Sequence, residues 1–157
     1  MSDENQKNER TVFDALKDDY ERGAFDVLKK DLEYFLVRNR DRIKAYYDSI
    51  ERELHFCDVE SSTKLELVIK KLILDSRILN PLHDAQDQTE EIRRHIWMEG
   101  VKLSAAPNQE VVAREWLEKY SKNWREYRLL AILYVFEMKR DYYVAIIDSV
   151  PPANAGT

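Results

Sequence analysis

The sequence predicts an all-α protein, a single-domain antiparallel bundle of about four to six helices. Three observations lead there. Glycine and proline are scarce, with 3 and 4 copies in 157 residues, whereas a sheet protein needs many tight turns that recruit Gly, Pro, Asn or Asp. Charged residues make up 35% of the chain, and Lys, Arg and Glu are good helix formers that supply solvated faces. Apolar residues, finally, recur at steps of three and four along most of the chain.

Residues 1–10 are polar and aperiodic and read as a disordered tail. From Thr11 the pattern changes: Val12, Phe13, Leu16 and Tyr20 share one helical face, and Asp18, Asp19 and Glu21 the other. Gly23 lowers helix propensity by roughly 1 kcal/mol against Ala and marks a break or kink.

The clearest periodic element covers residues 25–56 and reads as one long amphipathic helix. Leu28, Leu32, Phe35, Ile43, Tyr46 or Tyr47, Ile50 and Leu54 form its stripe. Asn39 interrupts that stripe. A bend or an exposed edge is the preferred reading over a polar residue that sets register. Residues 57–62 read as a turn, and Thr63 with Glu66 has the spacing of a capping box that opens a new helix. Over residues 63–79 that helix is apolar almost all round, with Leu65, Leu67, Val68, Leu72 and Leu74 among its members, which predicts a central position. Asn80-Pro81 is expected to stop it.

Residues 83–89 are polar and read as irregular at their start, and 90–103 as a helix with Ile92, Ile96, Trp97 and Val101 at its apolar points. After a connection over residues 104–108, Asn108 has the character of an N-cap. Val111, Val112, Trp116, Leu117 and Tyr120 follow at helical spacing. A last helix runs to Asp148, either restarting at Ser121 or continuing unbroken. Pro151-Pro152 closes the ordered domain, set at residues 11–149, with residues 150–157 as a second tail. Short connections between long helices make antiparallel packing the economical arrangement.

Composition also narrows function. The formal net charge of −5 works against general nucleic-acid binding, which needs a basic face, though it leaves room for a local one. The single cysteine, Cys57, allows no internal disulfide and suits a reducing compartment. Met1 to Asn5 lack the cationic and apolar regions of a secretory signal. The longest apolar run, residues 129–136, is too short to span a bilayer. The expectation is a cytoplasmic protein with no membrane partner.

Four groups of residues carry some chemical interest. Glu51 and His55 are four apart, as are Glu91 and His95, so each pair shares a helix face. Two such pairs on neighbouring helices are a candidate metal site. Bundle di-iron sites use Glu and His three apart with further inward Glu residues, so ordinary surface pairing is preferred. Next, His55-Phe56-Cys57-Asp58 sets a thiol beside an imidazole. With no loop or oxyanion donor in view, a buried structural cysteine is the better reading.

The third group is aromatic and basic. Trp116, Tyr120 and Trp124 follow one another at i, i+4, with Lys119, Lys122, Arg125 and Arg128 around them. Rings interleaved with cations suit stacking on single-stranded nucleic acid, but a core stripe has the same spacing and is preferred. The fourth is Arg93, Arg94, Trp97 and Met98, residue types enriched where proteins touch. A helix with a solvated charged face and a buried apolar one is the preferred reading, against which stands that Trp97 and Met98 do not both turn inward easily on one helix.

No glycine-rich phosphate loop, nucleophile elbow or His-Glu-x-x-His motif is present. The sequence therefore leans away from an enzyme and requires no cofactor. It favours a helical interaction protein (adaptor, scaffold subunit or small regulator) with a protein partner or a second copy. Arg93, Arg94, Trp97, Met98, Trp124, Arg125 and Arg128 are the candidate partner-binding residues. The alternatives are a bundle metalloprotein using Glu51, His55, Glu91 and His95, or a nucleic-acid face on the C-terminal helix.

Overall fold

The structure, a computed structural model, describes residues 11–53 and 61–149. Among the described residues it is all-helical, with eight helices and no strand. In chain order they are α1 (Val12–Glu21), α2 (Asp26–Arg38), α3 (Arg40–Glu53), α4 (Ser61–Ser76), α5 (Pro81–Leu103), α6 (Gln109–Lys119), α7 (Ser121–Met138) and α8 (Arg140–Ser149). The count exceeds the four to six expected because three breaks, at Asn39, Tyr120 and Lys139, are a single residue long. So short an interruption leaves apolar spacing nearly in phase, and the periodicity runs straight through it.

The chain divides into two compact units. Among the described residues the first comprises 11–53, 61–77 and 130–149 and the second 78–129, so the boundary falls within α7.

In the first unit, Thr11 opens α1 with a reciprocal capping box to Asp14. Gly23 lies within the connection to α2 at φ +82°, in the region where a side chain is strained, and breaks the helix as the sequence implied. The expected long helix over 25–56 is instead two, α2 and α3. At Asn39 the backbone leaves helical geometry, and the side-chain amide donates to the Phe35 carbonyl at 2.8 Å. An Asn that can bond its own preceding turn offers the chain an alternative to helix continuation. His55 and Cys57, with the rest of 54–60, lie outside the described residues, as do both expected tails.

Helix α4 begins at Ser61, so Thr63 lies inside it rather than at its cap, and Glu66 reaches Arg140 of α8 at 2.9 Å. Nor is α4 apolar on all sides. Leu65, Val68, Ile69, Leu72 and Ile73 are buried while Leu67 and Leu74 are exposed, which is ordinary one-sided amphipathicity. The helix stops at Ser76, and Arg77 follows at φ +62°.

Leu32, Leu36, Ile69, Ile73, Val135 and Phe136 are all but completely buried in this unit. Tyr143 stacks on Phe136, with ring centres 6.1 Å apart, and its hydroxyl donates to the Lys29 carbonyl at 3.2 Å. Burial pushes the phenol pKa well above its ordinary value. Arg40 is buried as well, and its Nε donates to the Ile147 carbonyl at 3.0 Å.

The second unit corrects the sequence reading at Asn80-Pro81. The pair begins a helix and ends none, α4 having already stopped at Ser76. Asn80 Oδ1 accepts the Leu82 and His83 amides at 3.0 and 3.1 Å, and Pro81 occupies the first helical position, where its missing N–H costs nothing. The stretch 83–89 is therefore helical, and α5 is 23 residues long. It ends at Ser104 in a left-handed conformation. Gly100 passes close to the loop that follows: a methyl there would stand 3.3 Å from Pro107 Cδ. Asn108 caps α6, its Oδ1 accepting the Val111 amide at 3.2 Å, as expected. Helices α5 and α6 pack against each other.

Candidate functional site

Unit two carries most of the candidate residues. Helix α5 presents them on different faces. Arg93, Trp97 and Val101, at successive i, i+4 steps, point outward with Arg94 beside them, and all four are exposed. Trp97 keeps 69% of its surface in water. Glu90 pairs with Arg93 at 2.8 Å and Glu91 with Arg94 at 3.0 Å, both as i, i+3 ion pairs.

On the side of α5 that meets α6 lies a groove of about 230 Å³. Glu91, Arg94, His95 and Met98 line it from α5, Trp116 from α6, Tyr120 from the α6–α7 junction and Trp124 from α7. It gathers members of three candidate groups that the sequence had listed separately. The aromatic series is not a single exposed stripe. Trp116 is buried and meets the half-buried Trp124 edge-on at 6.0 Å, while Tyr120 tilts over the His95 ring at 5.0 Å. The break at Tyr120 separates them, with the Ser121 hydroxyl donating back to the Leu117 carbonyl.

Arg125 and Arg128 do not line the groove. Both converge on Asp84, a buried carboxylate near the start of α5, at 3.0 and 3.1 Å. Arg128 also reaches Asp87 at 2.7 Å, and both guanidinium groups lie within 5.6 Å of the Trp124 ring centre. A phosphate would have to compete with these carboxylates, most of all at Arg128, which is only 15% exposed.

The expected Glu/His pairs resolve differently. Glu51, on α3, accepts the Tyr47 hydroxyl and the Lys64 ammonium, each at 2.9 Å. These hydrogen bonds, Lys64 first, hold its pKa below the usual carboxylate value. Glu91 is turned to Arg94. His95 faces α6, and its imidazole is the more telling group. Its ring is only 13% exposed, and Nε2 is buried with no hydrogen-bond partner, 3.8 Å from Glu115 Oε1. Ligand atoms of His95, Glu99 and Glu115 all lie within 4.8 Å of one another. These are the described residues able to hold a metal. The sequence reading paired His95 with Glu91, a turn before it, and passed over Glu99, a turn after it at the same i, i+4 spacing. Glu115 carried no local signal, since it joins only through the α5–α6 pairing.

No described helix is long and apolar enough to cross a membrane. The chain matches no protein-family profile, no curated protein and no solved structure.

Proposed function

We propose that this is a non-enzymatic helical interaction protein, an adaptor, scaffold subunit or small regulator, whose outer α5 face receives an apolar helix face of a partner protein. One observation carries the reading: Trp97 stands 69% exposed in the middle of a long, regular helix. An indole left in water forgoes burial of about 150–250 Å² of mostly apolar surface, and Trp is the residue type that most often anchors interfaces. Val101 extends the apolar strip by one turn, and the Glu90–Arg93 and Glu91–Arg94 pairs supply a polar edge of both signs. An apolar centre with an Arg-bearing rim is the composition of protein–protein contacts. The net charge of −5 makes an anionic membrane surface a poor alternative occupant.

The test is native mass spectrometry of untagged protein isolated from its own host, beside the Trp97→Ala and Val101→Ala variants. The wild-type chain is expected to retain a discrete protein partner that either substitution releases, with helicity by circular dichroism unchanged. Light scattering across concentration separates a second copy from a different protein. A wild-type chain that stays monomeric and partner-free, or a complex indifferent to both substitutions, ends the reading.

A further inference from the structure

We infer that His95, Glu99 and Glu115 form a binding site for a divalent first-row transition metal of the zinc type, clamping α5 to α6. The site rests on two independent observations. Three side chains with ligating atoms converge, two from α5 at i, i+4 spacing and one from α6. Among them, His95 Nε2 is shielded from solvent and has no hydrogen-bond partner. A buried polar atom without a partner is a cost that folded proteins seldom tolerate. An imidazole aimed at two carboxylates acquires one as soon as a cation sits between them.

The distances suit such an ion. Zinc bonds nitrogen and carboxylate oxygen at about 2.0–2.2 Å in a tetrahedron, which sets neighbouring ligand atoms about 3.3–3.6 Å apart. The 3.8 Å between His95 Nε2 and Glu115 Oε1 lies just outside that span. The remaining spread, up to 4.8 Å, closes by about 1.2–1.5 Å, which rotation of the Glu side chains about their soft terminal torsions supplies. Lys102 stands 3.3 Å from Glu99 and Lys119 3.8 Å from Glu115, but both lysines are mostly exposed. Surface pairs of this kind contribute little and yield readily to a dication.

The ligand set selects the ion. Calcium takes six to eight oxygens and magnesium a near-ideal octahedron of them, and two carboxylates serve neither well. An imidazole nitrogen with two carboxylates matches zinc and its first-row neighbours. Three protein ligands leave a fourth position for water, which the adjoining groove can supply. The site is distinct from the outer α5 face, so its fate is independent of any partner bound there.

The test uses the untagged full chain carrying Cys57→Ser, which removes the thiol as a competing ligand, after stripping with a chelator. Zinc titrated by calorimetry is expected to bind at one equivalent and to raise Tm. Cobalt at the same site should show visible d–d absorption and quench tryptophan emission. His95→Gln, Glu99→Gln and Glu115→Gln should each weaken zinc by at least about tenfold. Glu91→Gln, on the same helix but turned to Arg94, should leave it within about twofold, as should Trp97→Ala. If His95→Gln does not fold, the two glutamate variants decide the matter. Absence of saturable zinc binding, or binding that survives either Glu99→Gln or Glu115→Gln, overturns the site.

Discussion

The two units of this chain are built on opposite economies. The first is closed by apolar side chains, with Leu32, Leu36, Ile69, Ile73, Val135 and Phe136 all but removed from water. In the second, the buried hydrophobic residues among those described are Leu79, Val112 and Trp116. Its other interior groups are polar: Asp84 under two arginines, and an imidazole nitrogen with no partner. The same unit leaves Leu82, Trp97, Val101 and Leu103 exposed along a single helix. Apolar burial is roughly proportional to area and insensitive to direction, whereas ion pairs and caps act only at defined geometry. The first unit is therefore suited to supplying stability. The second spends less of its apolar surface on its own core, and that surface is what remains for contacts.

Three substitutions test the contrast. Phe136→Ala removes a fully buried ring from the first unit and is expected to cost about 3–5 kcal/mol in urea unfolding. A loss near 1 kcal/mol would mean that the first core is far looser than its burial implies. Asp84→Ala leaves two guanidinium groups facing each other without their carboxylate. Breaking a buried pair costs about 3–5 kcal/mol, but Arg125 is 43% exposed and can turn to water, so about 2 kcal/mol is expected. Hydrogen exchange should place that loss in α5 and the N-terminal half of α7, and uniform loss across the chain would erase the distinction between the units. Asn80→Ala deletes the α5 cap and should cost about 1 kcal/mol, read as faster exchange of the Leu82 and His83 amides. No change in either amide would show that Pro81 alone starts the helix.

The helical character of the chain was legible because apolar spacing reports it directly, and Asn108 was legible because a cap is a local event. The breaks were less so. A one-residue departure at Lys139 disturbs no periodicity, and at Asn39 only the gap in the stripe hinted at it. Asn80-Pro81 was misread because proline breaks a helix interior yet suits a helix's first position, and the deciding signal was Asn immediately before it. The site was partly visible as a list of residue types but not as a grouping. Asp84 and Arg125 are 41 positions apart, and no spacing rule joins them. His95 was found and its partners were not: Glu99 had a readable spacing, while Glu115 depends wholly on how α6 returns along α5.

Arg40 carries a further consequence. Its buried guanidinium donates to the carbonyl of Ile147, 107 positions later, and Tyr143 ties α8 back to Lys29 in the same way. A chain growing from the ribosome presents α2 and α3 long before α8 exists, so this arginine must wait, hydrated, for its acceptor. Helices α5 and α6 pair from neighbouring stretches of sequence and face no such delay. The unit with the larger apolar core is thus the one whose completion comes late in synthesis, and its early helices are the ones with most to gain from shelter in the meantime.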